Sequence, residues 1–400
     1  MRILAVRCTE WARLFIASTG IPRSTKAPSS LSDHPRIRLG LAFPPQPPVS
    51  SVSQGLSLAR AAGLASFTVW DHLVDFASEA EWVPGPGVPA SPHENLEYQT
   101  LLGFLAGGAG DVRIGVGVTE AVRRHPVIIA QAALTLSHLV TTRPILGIGA
   151  GEAANTVPYG LAEERPVSRL EEALAVIRAC LHSTGPISLD GDWFPLDGAR
   201  LDLGPGPGGV PEIWVGGRGP RMLRLAGEFG DGWYPTDMAD PDRYGSSLAR
   251  VREHARRAGR DAAAILPAVE LVLVLADRDD EARRSLDDPG LKLLGLLLPA
   301  GDWARFGGTH PLGEKHRGFV DYDPFALDGD ALRDALDAVP TELIEEIVLW
   351  GTPERAAERI RALGEAGLRH AVVSPAVDDV VGRREWTERA LSEMVRLLAK

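Results

Sequence analysis

Asp71 and His72 stand side by side directly after a short apolar run, 67–70, that predicts a β-strand. Histidine titrates near neutral pH, so it can exchange a proton with a substrate oxygen. A hydride that leaves a carbinol carbon must be matched by a proton that leaves the oxygen, and His72 suits this task. In the structural alternative, Asp71 caps a turn and His72 is a buried, hydrogen-bonded side chain.

Small or ionisable residues also follow the next three apolar runs of the sequence. They are Gly117, Val118, Thr119 and Glu120 after the third run, Glu152 and Asn155 after the fourth, and Gly216, Gly217, Arg218 and Gly219 after the fifth. In a (β/α)₈ barrel the active site lies at the C-terminal ends of the strands. These positions therefore predict one shared site.

Glu152 closes a glycine-rich run at 147–151. Glycines let a backbone come close to a flat ring, and a carboxyl pressed against such a ring has a raised pKa and can donate a proton. A dinucleotide fingerprint has similar glycines but requires an acidic residue at the end of the next strand. Glu171 and Glu172 fall at that distance inside a helical pattern, 168–181, which excludes the fingerprint.

The run Gly216, Gly217, Arg218, Gly219 has the composition of a phosphate site. Small residues expose backbone N–H groups, and Pro220 can open a helix whose N-terminus attracts anions. Arg218 either adds positive charge or faces solvent. A tight strand-to-helix turn is the structural alternative.

Short apolar runs alternate with longer segments of helical period from residue 36 onwards, which predicts βα units on a parallel sheet. The predicted strands are 37–43, 67–70, 112–116, 145–148, 213–215, 232–234, 269–275 and 371–374. The predicted helices are 52–62, 126–138, 168–181, 220–229, 241–258, 353–366 and 384–398. Eight evenly spaced strands favour an α/β fold of the closed (β/α)₈ TIM-barrel type over a doubly wound open sheet.

Two insertions interrupt this pattern. Residues 187–203 alternate with period two and contain Asp-Gly turns, which predicts a hairpin. Residues 291–325 are rich in glycine, proline and aromatic residues, and we expect a lid or excursion at the barrel mouth. We expect one barrel domain over 36–400, preceded by a disordered or loosely docked extension at 1–35.

Composition excludes several classes of function. The net charge is −11 and the basic residues are dispersed, so a nucleic-acid partner is not expected. No apolar run approaches the roughly 18 residues of a membrane span. Two distant cysteines form neither a disulfide framework nor a metal motif, which fits a cytoplasmic setting. A metal-dependent barrel hydrolase needs clustered histidine and aspartate ligands, and the ten histidines show no such pairing.

Four segments together resemble the luciferase-like superfamily, and most of all its F420-dependent branch. They are TVWDHLVDF, IGVGVTEAVRRHPVIIAQAALTLSHL, ILGIGAGEAAN and PEIWVGGRGPRMLRLAGEFGDGWYPT. The branch includes glucose-6-phosphate dehydrogenases, methylenetetrahydromethanopterin reductases and ketoreductases of mycobacterial lipid synthesis. The resemblance covers residues 36–375 and is weakest at 291–325. It implies a small-molecule substrate, coenzyme F420 and a homodimer, since relatives are often dimers.

The resemblance also implies roles for single residues. Asp71 would contact the deazaflavin, and His72 would be the acid or base at the substrate oxygen. A non-prolyl cis peptide would join Gly117 and Val118 behind the ring. Glu152 would act as an acid toward the pyrimidine side of the cofactor. The remaining cofactor contacts would come from Thr119, Asn155 and the phosphate loop at Gly216, Gly217, Arg218 and Gly219.

The substrate is where this sequence departs from part of the branch. The sugar-phosphate dehydrogenases have a tryptophan where this chain has Phe76, and their phosphate-binding lysines have no evident counterpart here. The sequences VTEAVRRHP and WYPT are most similar to those of the ketoreductases, which implies a ketone or alcohol substrate. His310, Lys315 and His316 either contribute to the substrate pocket or belong to a solvated loop.

Two other functions stay open at this level. An FMN-dependent monooxygenase would use the same fold with a site that admits oxygen. A non-catalytic cofactor-binding protein would have kept the fold without the chemistry, although His72 and Glu152 are both present.

Overall fold

The computed structural model describes residues 36–79, 82, 88–161, 164–327, 329–375 and 382–399. The extension predicted at 1–35 lies outside the described residues. The predicted extent of the barrel domain stays a prediction.

Parallel strands close into a barrel, as predicted. In chain order the strands are β1 (Arg38–Phe43), β2 (Ser66–Val69), β3 (Arg113–Thr119), β4 (Ile145–Ile148), β5 (Ile187–Leu189), β6 (Leu196–Ala199), β7 (Glu212–Val215), β8 (Gly232–Trp233), β9 (Leu266–Leu275), β10 (Leu349–Gly351) and β11 (His370–Pro375). The barrel order is β1, β2, β3, β4, β7, β8, β9, β11, and β11 returns to β1. The eight predicted strands are these eight, so the (β/α)₈ fold is confirmed.

The sequence did not predict β10. This three-residue strand pairs in parallel with the end of β9, at Leu273 to Leu275. β9 is ten residues long and pairs with β8 at its start, with β11 in its middle and with β10 at its end. So short an apolar run, next to a helix, carries no periodicity that would distinguish strand from helix.

Helices surround the barrel at the predicted positions. The predicted helices are found at Val49–Ala61, Pro126–Leu139, Pro166–His182, Pro220–Phe229, Pro241–Arg257, Pro353–Glu365 and Arg384–Leu398. Five of them begin with proline in the first turn, where the missing N–H would have no helical acceptor. Further helices, not predicted, are Tyr98–Leu105, Asp279–Ser285, Pro289–Leu296, Ala300–Ala304, Gly329–Asp337 and Thr341–Ile347. Within the described ranges, no helix combines the length and apolar character that a membrane span requires.

The barrel interior opens at the carboxyl ends of its strands. Ala268 of β9 and Val372 of β11 belong to a buried cluster with Trp214 and Tyr234, side chains that can meet only inside the barrel. Because strand side chains alternate, residues two and four positions beyond Ala268 also point inward. Ala268 is fully buried, whereas inward residues nearer the strand end keep partial exposure.

The two insertions have defined structures. β5 and β6 pair antiparallel, which confirms the predicted hairpin. The second insertion contains the helices Pro289–Leu296 and Ala300–Ala304. Its Trp303 and Tyr322 are buried in a hydrophobic cluster that is separate from the main core. We call residues 289–327 the excursion. Its helices are too short for a helical period to show in sequence.

Candidate active site

His72 lies between two carboxylates at the end of β2. Its Nε2 is 3.5 Å from Oε2 of Glu152, and its Nδ1 is 3.8 Å from Oδ2 of Asp75. Burial lowers the pKa of His72, but the charges of Glu152 and Asp75 outweigh burial and raise it from 6.5 to about 10. Both distances exceed ordinary hydrogen-bond lengths, so charge attraction is the main influence of the two carboxylates. His72 therefore carries its proton at neutral pH.

Asn155 fixes the relative position of His72 and Glu152. Its Oδ1 accepts hydrogen bonds from the backbone N–H groups of Leu73 and Val74, at 2.7 and 2.8 Å. Its Nδ2 donates to the carbonyl of Val74 at 3.1 Å and to Oε2 of Glu152 at 3.0 Å. These contacts use the full capacity of the amide. The loop after β4 thus holds the loop that carries His72, and a cofactor contact by Asn155 stays a prediction.

The carboxylate of Asp71 is buried, and its Oδ2 has three partners. Thr119 Oγ1 donates to it at 2.6 Å, and the guanidinium groups of Arg123 and Arg124 lie 3.0 and 2.7 Å from Oδ2. Asp71 is 5% exposed and Thr119 is 1% exposed. The two side chains join the ends of β2 and β3, and their predicted contacts with the cofactor remain untested. Sequence reasoning missed both arginines, although the pair stands in the quoted VTEAVRRHP motif.

The peptide bond between Gly117 and Val118 is cis, as the resemblance implied. Val118 remains partly exposed beside the opening of the barrel. A Cβ on Gly149 would lie 3.2 Å from Cγ2 of Val118, and one on Gly216 would lie 3.3 Å from its Cγ1. Gly147 would meet the same side chain at 3.0 Å. These glycines make room for Val118, which offers an apolar surface to a flat ligand.

The loop at Gly216–Gly219 leads into a ten-residue helix, Pro220–Phe229, with Gly219 at its N-cap and no side-chain cap. Gly217 has φ of +117°, which favours glycine. The Arg218 guanidinium is 3.5 Å from Oδ2 of Asp302 and 3.4 Å from the carbonyl oxygen of Asp237. Because Arg218 already has these partners, the backbone of the loop is the part best suited to a phosphate.

Phe76 connects His72 to the excursion. Its ring lies 5.1 Å from the His72 ring in an edge-to-face arrangement, and 5.1 and 6.1 Å from the rings of Phe319 and Tyr322. The structure thus brings this predicted substrate residue next to His72. The excursion supplies the aromatic side chains behind it, which the sequence alone did not indicate.

The other predicted substrate residues lie within the excursion and share no described contact with His72. His310 is 2% exposed, its ring centroid is 4.9 Å from that of Trp303 and 4.4 Å from that of His316, and burial lowers its pKa to about 4. His316 Nε2 is 3.1 Å from the carbonyl oxygen of Leu296. Both histidines pack inside the excursion, because the His310 ring lies against Trp303 and the His316 ring lies against His310. Lys315 is exposed and lines a cleft of about 670 Å³ formed by the excursion alone.

Sequence reasoning missed two residues at the opening of the barrel. Trp70 directly follows β2, and its ring lies 6.0 Å from that of His72. Glu270 of β9 accepts a 2.6 Å hydrogen bond from Tyr234 Oη. A charged residue inside the apolar run VELVLVL was the available signal for Glu270. In the part of the chain that the structure describes, no three His, Cys, Asp or Glu residues are grouped so that they could hold a metal ion.

The chain is similar in sequence to known proteins. The luciferase-like monooxygenase family model matches residues 38–370. The chain is 38% identical over 335 residues to the phthiodiolone/phenolphthiodiolone dimycocerosates ketoreductase of Mycobacterium bovis, which covers 82% of this chain and 88% of the ketoreductase.

Two solved structures share the fold. An F420-dependent secondary alcohol dehydrogenase in complex with an F420–acetone adduct has a TM-score of 0.70 at 22% identity, covering 90% of this chain and 98% of the dehydrogenase. The oxygenating constituent of 3,6-diketocamphane monooxygenase from Pseudomonas putida, in complex with FMN, has a TM-score of 0.61 at 20% identity, covering 91% and 98%. These two similarities show the fold, whereas the 38% identity to the ketoreductase, an oxidoreductase, supports the same broad class for this chain.

Proposed function

The chain belongs to the luciferase-like monooxygenase family, and we propose that within it the protein is an F420-dependent oxidoreductase that reduces a ketone to a secondary alcohol. The observation that carries the proposal is the position of His72 between the carboxylates of Glu152 and Asp75, whose charges raise its pKa to about 10. Ketone reduction needs a hydride at carbon and a proton at oxygen. A histidine that keeps its proton at neutral pH is poised to act as the acid.

The residues at the barrel opening fit a planar cofactor with an anionic tail. Trp70 offers a partly exposed apolar surface 6.0 Å from the His72 ring. Val118 offers another near the end of β3, and Gly216 adds no side chain next to it. The helix start at Gly219 suits phosphate. When bound there, reduced F420 would supply the hydride.

His72 delivers its proton from Nε2. Nδ1 is fully buried and has no hydrogen-bond partner among the described residues, so Nε2 is the nitrogen that a substrate oxygen can reach. Glu152 lies beside Nε2 and stabilises the imidazolium until the proton transfers. Asn155 keeps Glu152 in place through the 3.0 Å hydrogen bond.

The aromatic residues beside His72 favour an apolar ketone. Phe76 is backed by Phe319 and Tyr322, and Phe76 has no polar hydrogen to recognise a sugar. The similar mycobacterial protein is a ketoreductase by name. We therefore place the substrate among ketones that carry large apolar groups.

An FMN-dependent monooxygenase is the second candidate, because a fold relative contains FMN. Titration of the protein with each cofactor under anaerobic conditions separates the two candidates. We expect binding of F420, with FMN much weaker. Tight FMN binding without affinity for F420 would reject the proposal in favour of the monooxygenase.

The proposed activity is tested by mixing the protein with reduced F420 and a panel of ketones, and with oxidised F420 and the matching alcohols. Appearance of the oxidised deazaflavin absorbance with ketones is the expected result. If neither mixture changes the absorbance across aliphatic and aromatic members of the panel, the proposed activity is wrong.

We also propose a homodimer. Phe104, Ile128 and Leu139 are exposed on the helices Tyr98–Leu105 and Pro126–Leu139, which lie next to each other. Large apolar side chains exposed on adjacent helices are a feature of association surfaces. Sedimentation equilibrium tests this, and a purely monomeric protein would contradict it.

A further inference from the structure

Glu270 points into the barrel at the level where the interior opens. It lies two residues beyond Ala268, which packs inside the barrel, and it is paired in register with Val372, another interior residue. Ala268 has no exposure, whereas Glu270 keeps a partly exposed surface. Because Glu270 points inward, its exposed surface faces the mouth of the barrel, where the positive charge of His72 acts on it.

The two oxygens of Glu270 have different surroundings. Oε2 accepts the 2.6 Å hydrogen bond from Tyr234. Oε1 accepts no hydrogen bond from the described residues, and it is not fully buried. Solvent in the mouth therefore reaches it. Tyr234 is itself held in place, because it is buried and its ring packs 5.3 Å from the ring of Trp214. Glu270 is therefore a fixed carboxyl with one accessible oxygen.

The charged and polar groups that face Glu270 are Tyr234, Asp237 and His72. Burial raises the pKa of Glu270 to about 7, with Asp237 adding to the rise, while the Tyr234 hydrogen bond and the positive charge of His72 oppose it. A carboxyl with such a pKa exchanges its proton readily near neutral pH. Nothing in the reaction proposed for His72 uses this group.

We propose that Glu270 is a proton-relay residue that returns to His72 the proton His72 gives to the substrate oxygen. The inference rests on the proposed function. In each turnover the carbonyl carbon gains a hydride from the reduced deazaflavin, and the carbonyl oxygen gains the Nε2 proton of His72. The neutral imidazole then takes a proton from the Glu270 carboxyl through water in the mouth. The Glu270 carboxylate regains a proton from solvent, which completes the balance.

Glu270→Gln tests the relay because it keeps the shape and an oxygen acceptor for Tyr234 but holds no transferable proton. The enzyme is loaded with reduced F420, mixed with ketone in a stopped-flow instrument, and followed through the first and later turnovers. We expect a first turnover close to that of the wild type, since His72 begins protonated. The steady-state rate should fall about tenfold or more, and added imidazole should restore it.

Glu212→Gln is the matched control. Glu212 is also a carboxylate on a barrel strand, but it lies at the opposite end of the barrel, paired with Arg113 and Arg143. Its variant should change the first and later turnovers in the same proportion. If Glu270→Gln slows both phases equally, or neither, the relay is wrong, because a structural role or no role explains those results.

Infrared titration of the ligand-free protein separates failure of the relay from failure of the proposed function. The wild type should show a protonated carboxyl band that disappears as the pH rises through about 7. The band should be missing in Glu270→Gln and present in Glu212→Gln. Its presence supports Glu270 as a proton-holding group even if F420 is not the cofactor. Its absence in the wild type overturns the relay, whatever cofactor is bound.

Discussion

Oε2 of Glu152 lies 3.5 Å from Nε2 of His72, and the same carboxylate oxygen accepts a hydrogen bond from Asn155. Asn155 in turn binds the backbone that follows His72. The side chain of Asn155 therefore joins the ends of β2 and β4 and fixes the positions of both His72 and Glu152. The charge state of His72 depends on this arrangement, because a displaced Glu152 would no longer stabilise the imidazolium.

Replacing Glu152 by glutamine should change the pH dependence of ketone reduction. Glu152 is a leading cause of the raised pKa of His72, so the pKa falls from about 10 toward 6.5 in the variant. The wild-type first-turnover rate should stay constant until the pH approaches 10, whereas that of the variant should fall above neutral pH. First-turnover rates measured across this pH range check the prediction. Glu253→Gln on an exposed helix surface is the control, and identical profiles for both variants would contradict it.

Asn155→Ala should weaken both the fold and the site. The amide makes hydrogen bonds to Leu73, Val74 and Glu152 in a buried position, and leaving their partners unsatisfied costs about 1–3 kcal/mol. Urea denaturation measures the free energy of unfolding, and turnover measures the site. Asn95→Ala removes an amide with a single 3.5 Å contact and should leave both quantities close to wild type. Equal effects of the two variants would show that Asn155 is not a positioning residue.

How much of this site the sequence predicts depends on the kind of interaction. The barrel follows from alternating apolar runs, and His72 and Glu152 follow from their positions at strand ends. The engagement of Asp71 by Arg123 and Arg124 depends on the path of one loop, which spacing does not define. The charge of Glu270 inside an apolar run is visible in the sequence, but its place in the site is recognisable only once Tyr234 is known to bind it. His310 and His316 show that residue types without their neighbours mislead, since His310 packs against Trp303 and His316 packs against His310.

Asp71→Asn should destabilise the protein strongly. The carboxylate is 5% exposed and its Oδ2 lies 3.0 and 2.7 Å from the two guanidinium groups. Removing one partner of a buried ion pair typically costs about 3–5 kcal/mol, because the remaining charges lose their compensation. Asp280→Asn removes an exposed carboxylate that also pairs with two arginines, and solvent screens such a pair so that its loss changes stability little. Similar urea midpoints for the two variants would be inconsistent with this role of Asp71.

Phe319→Ala should alter substrate selection. Phe319 backs Phe76, which lies against His72, so its removal opens the aromatic surface beside the reacting oxygen. The KM of a ketone with a large apolar group should rise about tenfold or more, since apolar contacts of this size contribute about 1–3 kcal/mol. The KM of a small ketone such as acetone should change little. Phe104→Ala removes an exposed ring that shares no described contact with His72 and is the control. Unchanged selectivity in Phe319→Ala would show that the excursion does not contribute to the substrate pocket.

The single-turnover rate of His72→Ala tests the central claim most directly. Enzyme loaded with reduced F420 is mixed with a ketone under anaerobic conditions, and the return of the oxidised deazaflavin absorbance is timed. With His72 as the proton donor, the variant should bind F420 as the wild type does but react about 10²–10⁴ times more slowly. A variant that binds F420 and reacts at the wild-type rate would contradict the assignment of His72 as the acid.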